Sequence, residues 1–199
     1  MSANPCIETI SVVNRKIQNL DYHNARFNKT RKALWGLEDR WDLSNIEIPD
    51  SVTDLKHKLR ITYAHEIETV QWSIHEPREI RSIKKVYIPD IDYTFKYCDR
   101  SLLANLFEQR GDADEILIIH NGMVSDSFFG NVALANNSGW YTPTSYLLAG
   151  TQRAYLLDQG IIKEQSISEK DLKDYTHLRI INALMDWNNT PTLEIGMVV

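Results

Sequence analysis

Lys96 is the first residue whose type and setting could do covalent chemistry. It lies among aromatic residues in Tyr93-Thr94-Phe95-Lys96-Tyr97. A lysine amine is a nucleophile only when it is deprotonated, and apolar surroundings lower its pKa. Lys96 is therefore a candidate catalytic nucleophile, although a surface lysine that lies across ring faces has the same local pattern.

Two further segments could bind an anion. Gly150 and Thr151 begin a predicted helix, and the backbone N–H groups at a helix N-terminus bind phosphate well. In His23-x-x-Arg26 both side chains share a helical face, and a guanidinium group can bind phosphate through paired hydrogen bonds. The alternatives are a plain helix start and a solvated basic face, and the nearby Lys29 favours the second alternative.

A fourth segment places a carboxylate after a predicted hairpin turn at Asn121-Gly122. Asp126 follows the returning strand, and small, aromatic and amide residues continue the chain to Asn131. A carboxylate in this position could bind a cationic group. A polar hairpin end would show the same pattern without any function.

The elements that carry these segments predict a mixed α and β fold. Cys6–Val13 is β-branched and predicts a strand, and a helix is predicted from an N-cap at Asp21 to Trp35, before Gly36. Leu59–Tyr63 and Ile67–Ile74 predict a hairpin. Later strands are predicted at 115–119, 123–125, 132–135, 139–142 and 161–167. Later helices are predicted at 101–109 and 150–159.

The length of 199 residues allows one large domain or two small ones. The pattern of predicted elements changes after Pro89. This change predicts a small N-terminal α/β domain at 1–80, a linker at 81–92 and a larger C-terminal domain at 93–199. Residues 1–88 carry a slight excess of positive charge, and residues 89–199 carry a clear excess of negative charge.

Composition excludes several classes of function. The net charge of -5 gives no basic footprint for nucleic acid or an anionic membrane, and no apolar run is long enough for a membrane span. Cys6 and Cys98 form neither a disulfide framework nor a zinc site. We therefore expect no metal and a location in the reducing cytoplasm.

Together, these segments resemble the class IV aminotransferase family, the pyridoxal-phosphate enzymes of fold type IV. The family includes D-amino-acid and branched-chain aminotransferases and 4-amino-4-deoxychorismate lyase. The resemblance runs from about Ile7 to Met185. Its motifs are Glu8-Thr9-Ile10, His23-x-x-Arg26-Phe27, Lys96-x-x-x-Arg100, Asp114-Glu115-Ile116-Leu117, Asn121–Asp126, Asn131, Tyr141-Thr142-Pro143, Leu148-x-Gly150-Thr151-x-Arg153 and Asn182-Ala183-Leu184-Met185.

The resemblance implies an α+β, two-domain fold type IV architecture, with the cofactor cleft between the domains and a cofactor-binding C-terminal domain. It implies that Lys96 forms a Schiff base with pyridoxal 5'-phosphate and then moves the substrate proton. Asp126 would stand where the family usually has a glutamate, facing the pyridine nitrogen. The implied phosphate-binding residues are Arg26, Gly150, Thr151, Gln152, Asn182 and Ala183.

The resemblance leaves two reactions open: transamination, and elimination of the 4-amino-4-deoxychorismate lyase type. Ser101 replaces a tyrosine of branched-chain members, whereas Lys96-x-x-x-Arg100 looks more like the lyase pattern. Arg60 and Tyr63 are candidate substrate contacts, because such strands border the substrate in the family. A non-catalytic cofactor-binding or scaffold homologue is the alternative. The resemblance also implies a homodimer, a small amino-acid-like substrate and a short member of the family.

Overall fold

The protein divides into two compact units in a computed structural model that describes residues 4–88 and 93–199. The first unit runs to Pro77 and includes Phe95–Asp99, and the second contains 78–94 and 100–199. This division differs from the predicted linker at 81–92, because Ile83–Ile88 is a strand of the second unit. Residues 89–92 of that linker lie outside the described residues.

The described part of the first unit is a four-stranded antiparallel sheet with one long helix. Its strands are β1 (Cys6–Val13), β2 (Lys16–Ile17), β3 (His57–Tyr63) and β4 (Ile67–Ile74), in the order β2-β1-β3-β4. The helix is α1 (Leu20–Trp35). Alternate residues of β3 are buried because one face of the sheet packs into the core.

Helix α1 has well-defined ends. Its N-cap is Asn19, in the left-handed region at a φ of 50°, and not the predicted Asp21, which lies in the first turn. Asp21 still favours the helix there, because the N-terminal dipole attracts negative charge. Gly36 ends the helix with a φ of 68°, a conformation that glycine adopts without a steric cost. Phe27 of α1 packs on Tyr63 with ring centroids 4.2 Å apart.

The described part of the second unit contains an eight-stranded sheet with two short helices. The strands are β5 (Ile83–Ile88), β6 (Glu115–His120), β7 (Met123–Ser127), β8 (Asn131–Asn136), β9 (Gly139–Pro143), β10 (Lys163–Gln165), β11 (His177–Ile181) and β12 (Leu193–Glu194). The helices are α2 (Ser101–Phe107) and α3 (Thr151–Asp158). The sheet curls, and β8 pairs with β7, β9 and β11.

Strand β6 is apolar from Ile116 to Ile119 because both of its faces are buried there. Leu117 and Ile119 pack into one hydrophobic cluster, and Ile116 and Ile118 pack into another. Burial on both faces explains a continuous apolar run instead of an alternating pattern. Among the residues described, no helix has the length and apolar character needed to cross a membrane.

Candidate functional site

The segment that carries Lys96 is held against β1 by its main chain. The carbonyl oxygen of Lys96 accepts a hydrogen bond from Ile7 N at 2.8 Å, and Cys98 N donates to Pro5 O at 2.7 Å. Cys6 and Tyr97 form an antiparallel bridge between these segments. Backbone pairing therefore fixes the position of Lys96 in the first unit, and its side chain is half-buried.

Glu8 forms a buried cluster with two side chains of α1. Its carboxylate accepts from Arg26 Nε at 2.8 Å, Arg26 Nη2 at 2.6 Å and His23 Nδ1 at 2.7 Å. Burial raises the pKa of Glu8, but Arg26 and His23 outweigh it and hold the pKa at about 2. The cluster therefore contains an ionised carboxylate. The sequence pointed to Arg26, whereas the contribution of Glu8 was missed.

The two candidate substrate residues of β3 have different surroundings. Arg60 is half-buried on the face opposite Leu59 and Ile61, and its Nη2 lies 3.9 Å from Cys98 Sγ. Tyr63 is fully buried and packs against Phe27. A side chain enclosed in the core cannot meet a substrate without opening that core, so we do not carry Tyr63 into the proposed site.

Asp126 is a buried hydrogen-bond acceptor in the second unit. Its Oδ1 accepts from Asn131 Nδ2 at 2.8 Å, and its Oδ2 accepts from Leu147 N at 3.1 Å and Leu148 N at 3.0 Å. A carboxylate has about four acceptor positions, so the donors among the described residues leave one on Oδ1. Burial outweighs the three donors and raises the pKa of Asp126 to about 6. A cationic N–H group would suit that remaining position.

The segment that supplies the two backbone donors is fastened to β7 by a pair of serines. Ser125 Oγ donates to the carbonyl oxygen of Ser145, and Ser145 Oγ donates to Val124 O at 2.6 Å. These reciprocal bonds hold residues 144–148 beside Asp126. The arrangement connects β7 to the start of α3.

The N-terminus of α3 has the construction of an anion site. Thr151 and Gln152 are buried in its first turn, and Gly150 is the N-cap. The bond from Ala154 N to Gly150 O begins the helical ladder, so the N–H groups of residues 151–153 lie outside it. Arg153 anchors this turn, because its Nη2 donates to Pro143 O at 3.1 Å and Glu164 Oε1 at 2.6 Å.

Asn131 connects Asp126 to this helix N-terminus. Besides Asp126, its Nδ2 donates to Leu148 O at 2.9 Å. A Cβ added at Gly150 would collide with Asn131 Oδ1. Glycine is needed here for close approach, and one buried amide holds both parts of the site. The sequence motif included Asn131, but only the contacts assign it this positioning role.

We predict that Gly150→Ala damages the second unit and its anion site. The new methyl group would overlap Asn131 Oδ1, and Asn131 cannot easily move because its Nδ2 makes two hydrogen bonds. Overpacking of this kind costs roughly 1–3 kcal/mol of stability. The melting temperature checks this prediction, with Gly196→Ala as the control, because a Cβ there would meet nothing within 4 Å. Equal melting temperatures would refute the steric argument.

Asn182 and Ala183, the last predicted phosphate-binding residues, follow the end of β11. Asn182 Nδ2 donates to Phe129 O at 3.2 Å, and Asn182 Oδ1 accepts from Leu184 N at 2.9 Å. A Cβ at Gly130 would collide with Ile181 O, so the turn between β7 and β8 lies directly on this segment. Asn182 is therefore close to the turn that separates Asp126 from Asn131.

Glu115 supports the same turn from within the core. Its Oε1 accepts from Ile116 N at 2.8 Å and Phe128 N at 3.1 Å. Among the described residues its buried Oε2 has no hydrogen-bond partner. Burial is the largest influence on Glu115 and raises its pKa to about 7.

We predict that Glu115→Gln stabilises the protein more at pH 8 than at pH 5. Because the folded-state pKa is raised, ionisation of Glu115 costs stability as the pH rises from about 4.5 to about 7. Glutamine keeps an acceptor oxygen and removes that cost, which is on the order of 3 kcal/mol. Urea unfolding of both proteins at both pH values tests this prediction. A stability difference that does not change with pH would contradict it.

Comparison with known proteins identifies the family. The model of the amino-transferase class IV family matches residues 6–189. The chain belongs to this family. This class IV protein is 37% identical over 183 residues to an uncharacterised protein of Haemophilus influenzae, a match that covers 90% of this chain and 97% of the relative.

Two of the solved structures that resemble this class IV protein illustrate the likeness. One, from Haemophilus somnus 129PT and provisionally assigned as a 4-amino-4-deoxychorismate lyase, has a TM-score of 0.86 and 34% identity, covering 92% of this chain and 98% of its own. The other is the pyridoxal-phosphate-bound form of a hypothetical aminotransferase of Mycobacterium tuberculosis. Its TM-score is 0.74 at 14% identity, and the match covers 96% of this chain and 81% of the other chain. The predicted fold type IV class is confirmed.

Membership of the class IV family confirms the predicted pyridoxal-phosphate-dependent enzyme class and cofactor. The residues present fit that group on geometric grounds. Gly150, which the Asn131 side chain approaches closely, is the N-cap of a helix whose N-terminus is suited to phosphate, and Asp126 retains, among the described residues, one acceptor position for a protonated ring nitrogen. The same Asn131 amide contacts both features.

Proposed function

We propose that this protein catalyses elimination of the 4-amino-4-deoxychorismate lyase type on an amino-acid-like substrate, with Lys96 as the catalytic residue. The observation that carries the proposal is the coupling of Asp126 to the Gly150 turn through Asn131. It supports a site that holds a phosphate at one end and a cationic ring at the other. When bound, the cofactor supplies an electron sink for the carbanion that proton removal leaves on the substrate.

Each residue has a defined task in this proposal. Lys96 supplies the amine that holds the cofactor, and afterwards that amine takes the proton from the substrate. The carboxylate of Asp126 keeps the ring nitrogen protonated. Phosphate would be bound by a shared set of donors: Arg26, the N-terminal turn Gly150-Thr151-Gln152, and the Asn182-Ala183 segment.

The substrate assignment is supported by two features of this chain. Lys96-x-x-x-Arg100 is similar to the lyase pattern, and the Haemophilus somnus relative with its provisional lyase assignment is 34% identical. Arg60 is proposed to meet a substrate carboxylate, because its guanidinium lies 3.9 Å from Cys98, two residues after Lys96. Transamination is the second candidate, and the family description favours it.

A panel of substrates tests the proposed reaction. Purified protein loaded with cofactor is mixed with 4-amino-4-deoxychorismate, and separately with D- and L-amino acids plus a keto-acid acceptor. We expect an aromatic product to form from the first, with little amino transfer in the others. Transfer from an amino acid without elimination would assign the protein as a transaminase, and no turnover in any mixture would favour the non-catalytic alternative.

We also propose that the protein is a homodimer located in the cytoplasm. Cys6 and Cys98 are free thiols, which suits a reducing compartment. Light scattering at micromolar concentration tests the dimer. We expect about twice the chain mass of 23.1 kDa, and a mass of one chain would contradict the proposal.

A further inference from the structure

The buried Glu8 cluster has the arrangement of a support for a ligand-binding arginine. Glu8 lies on β1, whereas His23 and Arg26 lie one turn apart on α1. Glu8 and His23 are 0% exposed, while the side chain of Arg26 remains 14% exposed. The two inner members of the cluster are therefore sealed from solvent, and the guanidinium is its outermost group.

The protonation states of the cluster follow from its surroundings. Arg26 and His23 together keep Glu8 ionised, so Glu8 only accepts hydrogen bonds. Burial is the largest influence on His23 and lowers its pKa, and the charge of Lys96 acts in the same direction. His23 is accordingly neutral and carries its proton on Nδ1, the nitrogen that faces Glu8. The cluster has one negative and one positive charge.

We propose that Glu8 and His23 are positioning residues that orient the Arg26 guanidinium for the cofactor phosphate. The inference rests on the proposed phosphate-binding role of Arg26. Glu8 engages the Nε and Nη2 edge of the guanidinium in a two-point contact, which fixes its plane.

Fixing the guanidinium in advance is expected to strengthen phosphate binding. A side chain that is already ordered loses less rotamer freedom when a ligand binds. In addition, the buried carboxylate offsets the charge of Arg26 before any phosphate arrives, so the arginine is stable at this position in the cofactor-free protein. His23 completes the support by donating to Glu8 Oε2, the oxygen that also accepts from Nη2.

Binding of two ligands to the cofactor-free protein distinguishes this role from a purely structural one. Pyridoxal 5'-phosphate and pyridoxal differ only in the phosphate, and their dissociation constants are measured by absorbance and fluorescence. We expect Glu8→Gln to weaken pyridoxal 5'-phosphate about tenfold and to leave pyridoxal unchanged, because the glutamine NH2 would face the N–H donors of Arg26. Equal weakening of both ligands, or no change in either, would overturn the inference.

Matched variants keep the test decisive. Asp39→Asn removes the charge of Asp39, whose Oδ2 lies 3.1 Å from Nη2 of Arg31, another arginine of α1. This variant should leave the preference for pyridoxal 5'-phosphate over pyridoxal unchanged. If Glu8→Gln does not fold, His23→Leu should lower the preference for pyridoxal 5'-phosphate over pyridoxal. His23→Asn should restore this preference, because the asparagine NH2 occupies the place of Nδ1. Identical preferences in these two variants would overturn the inference. If the wild-type protein binds neither ligand, the proposed function fails and the inference fails with it.

Discussion

Lys96→Ala is expected to abolish turnover and to remove the visible absorbance of the bound cofactor. The amine is proposed both to hold the cofactor covalently and to move the substrate proton. Loss of a positioned proton-transfer group alone costs about 10²- to 10⁴-fold in rate, and loss of the covalent role adds to this. Steady-state turnover and the absorbance spectrum of the purified variant measure the effect.

A control separates this expectation from a general effect of removing a lysine. Lys29 is exposed on α1, and Lys29→Ala should keep both turnover and spectrum. The fold of Lys96→Ala should also persist, because the contact with Ile7 N uses the main-chain oxygen of Lys96. A Lys96→Ala protein that turns over substrate at the wild-type rate would refute the catalytic assignment.

Asp126→Asn should give the second largest loss, about 100-fold in kcat. The carboxylate accepts from three N–H groups, whereas asparagine has one acceptor oxygen and would turn its NH2 towards a donor. It also removes the negative charge proposed to keep the ring nitrogen of the cofactor protonated. Turnover with saturating cofactor measures the loss, and the melting temperature reports whether the variant is folded.

Asp126→Glu is the matched variant for charge and length. It restores the residue that the family usually has and keeps the carboxylate, although the extra methylene must fit a buried position. We therefore expect its kcat to lie between those of the asparagine variant and the wild type. If Asp126→Asn retains the wild-type kcat, the proposed contact with the cofactor is wrong.

Much of the fold was predictable because local patterns and tertiary packing agree. In β3 the apolar residues alternate with polar ones, and in β6 they form a continuous run because both faces are buried. The asparagine-glycine pair before β7 marks a turn in the sequence. Ser168 and Asp171 form a capping pair, in which Ser168 Oγ and Ser168 N donate to Asp171 Oδ2 at 2.7 and 2.8 Å. Its helix is a short 3-10 segment.

The division into units was less predictable because it depends on pairing between distant segments. Ile83–Ile88 is a strand of the second unit since it pairs in parallel with β6, about 30 residues later in the chain. Phe95–Asp99 pairs with β1 through long-range backbone hydrogen bonds, which no local sequence pattern predicts. The N-cap at Asn19 was missed for a similar reason, as its left-handed backbone is set by the turn after β2.

The candidate site was predictable in its residue types and not in its supports. Lys96, Arg26 and Asp126 were proposed from their chemistry and from the resemblance to the family. Glu8 was part of the motif Glu8-Thr9-Ile10 but was given no role, because a glutamate within a β-branched strand has no local signature of function. Its burial and its hydrogen bonds to Arg26 and His23 arise only when β1 packs against α1. The burial of Tyr63 was equally unpredictable, since a polar strand residue can be enclosed by neighbouring rings.

The most direct test of the account is to locate the lysine that carries the cofactor. The protein is loaded with pyridoxal 5'-phosphate, reduced with borohydride to make the linkage permanent, digested and analysed by peptide mass spectrometry. We predict that the added mass lies on Lys96. Added mass on another lysine, or none on any peptide of a protein that folds normally, would contradict the central claim.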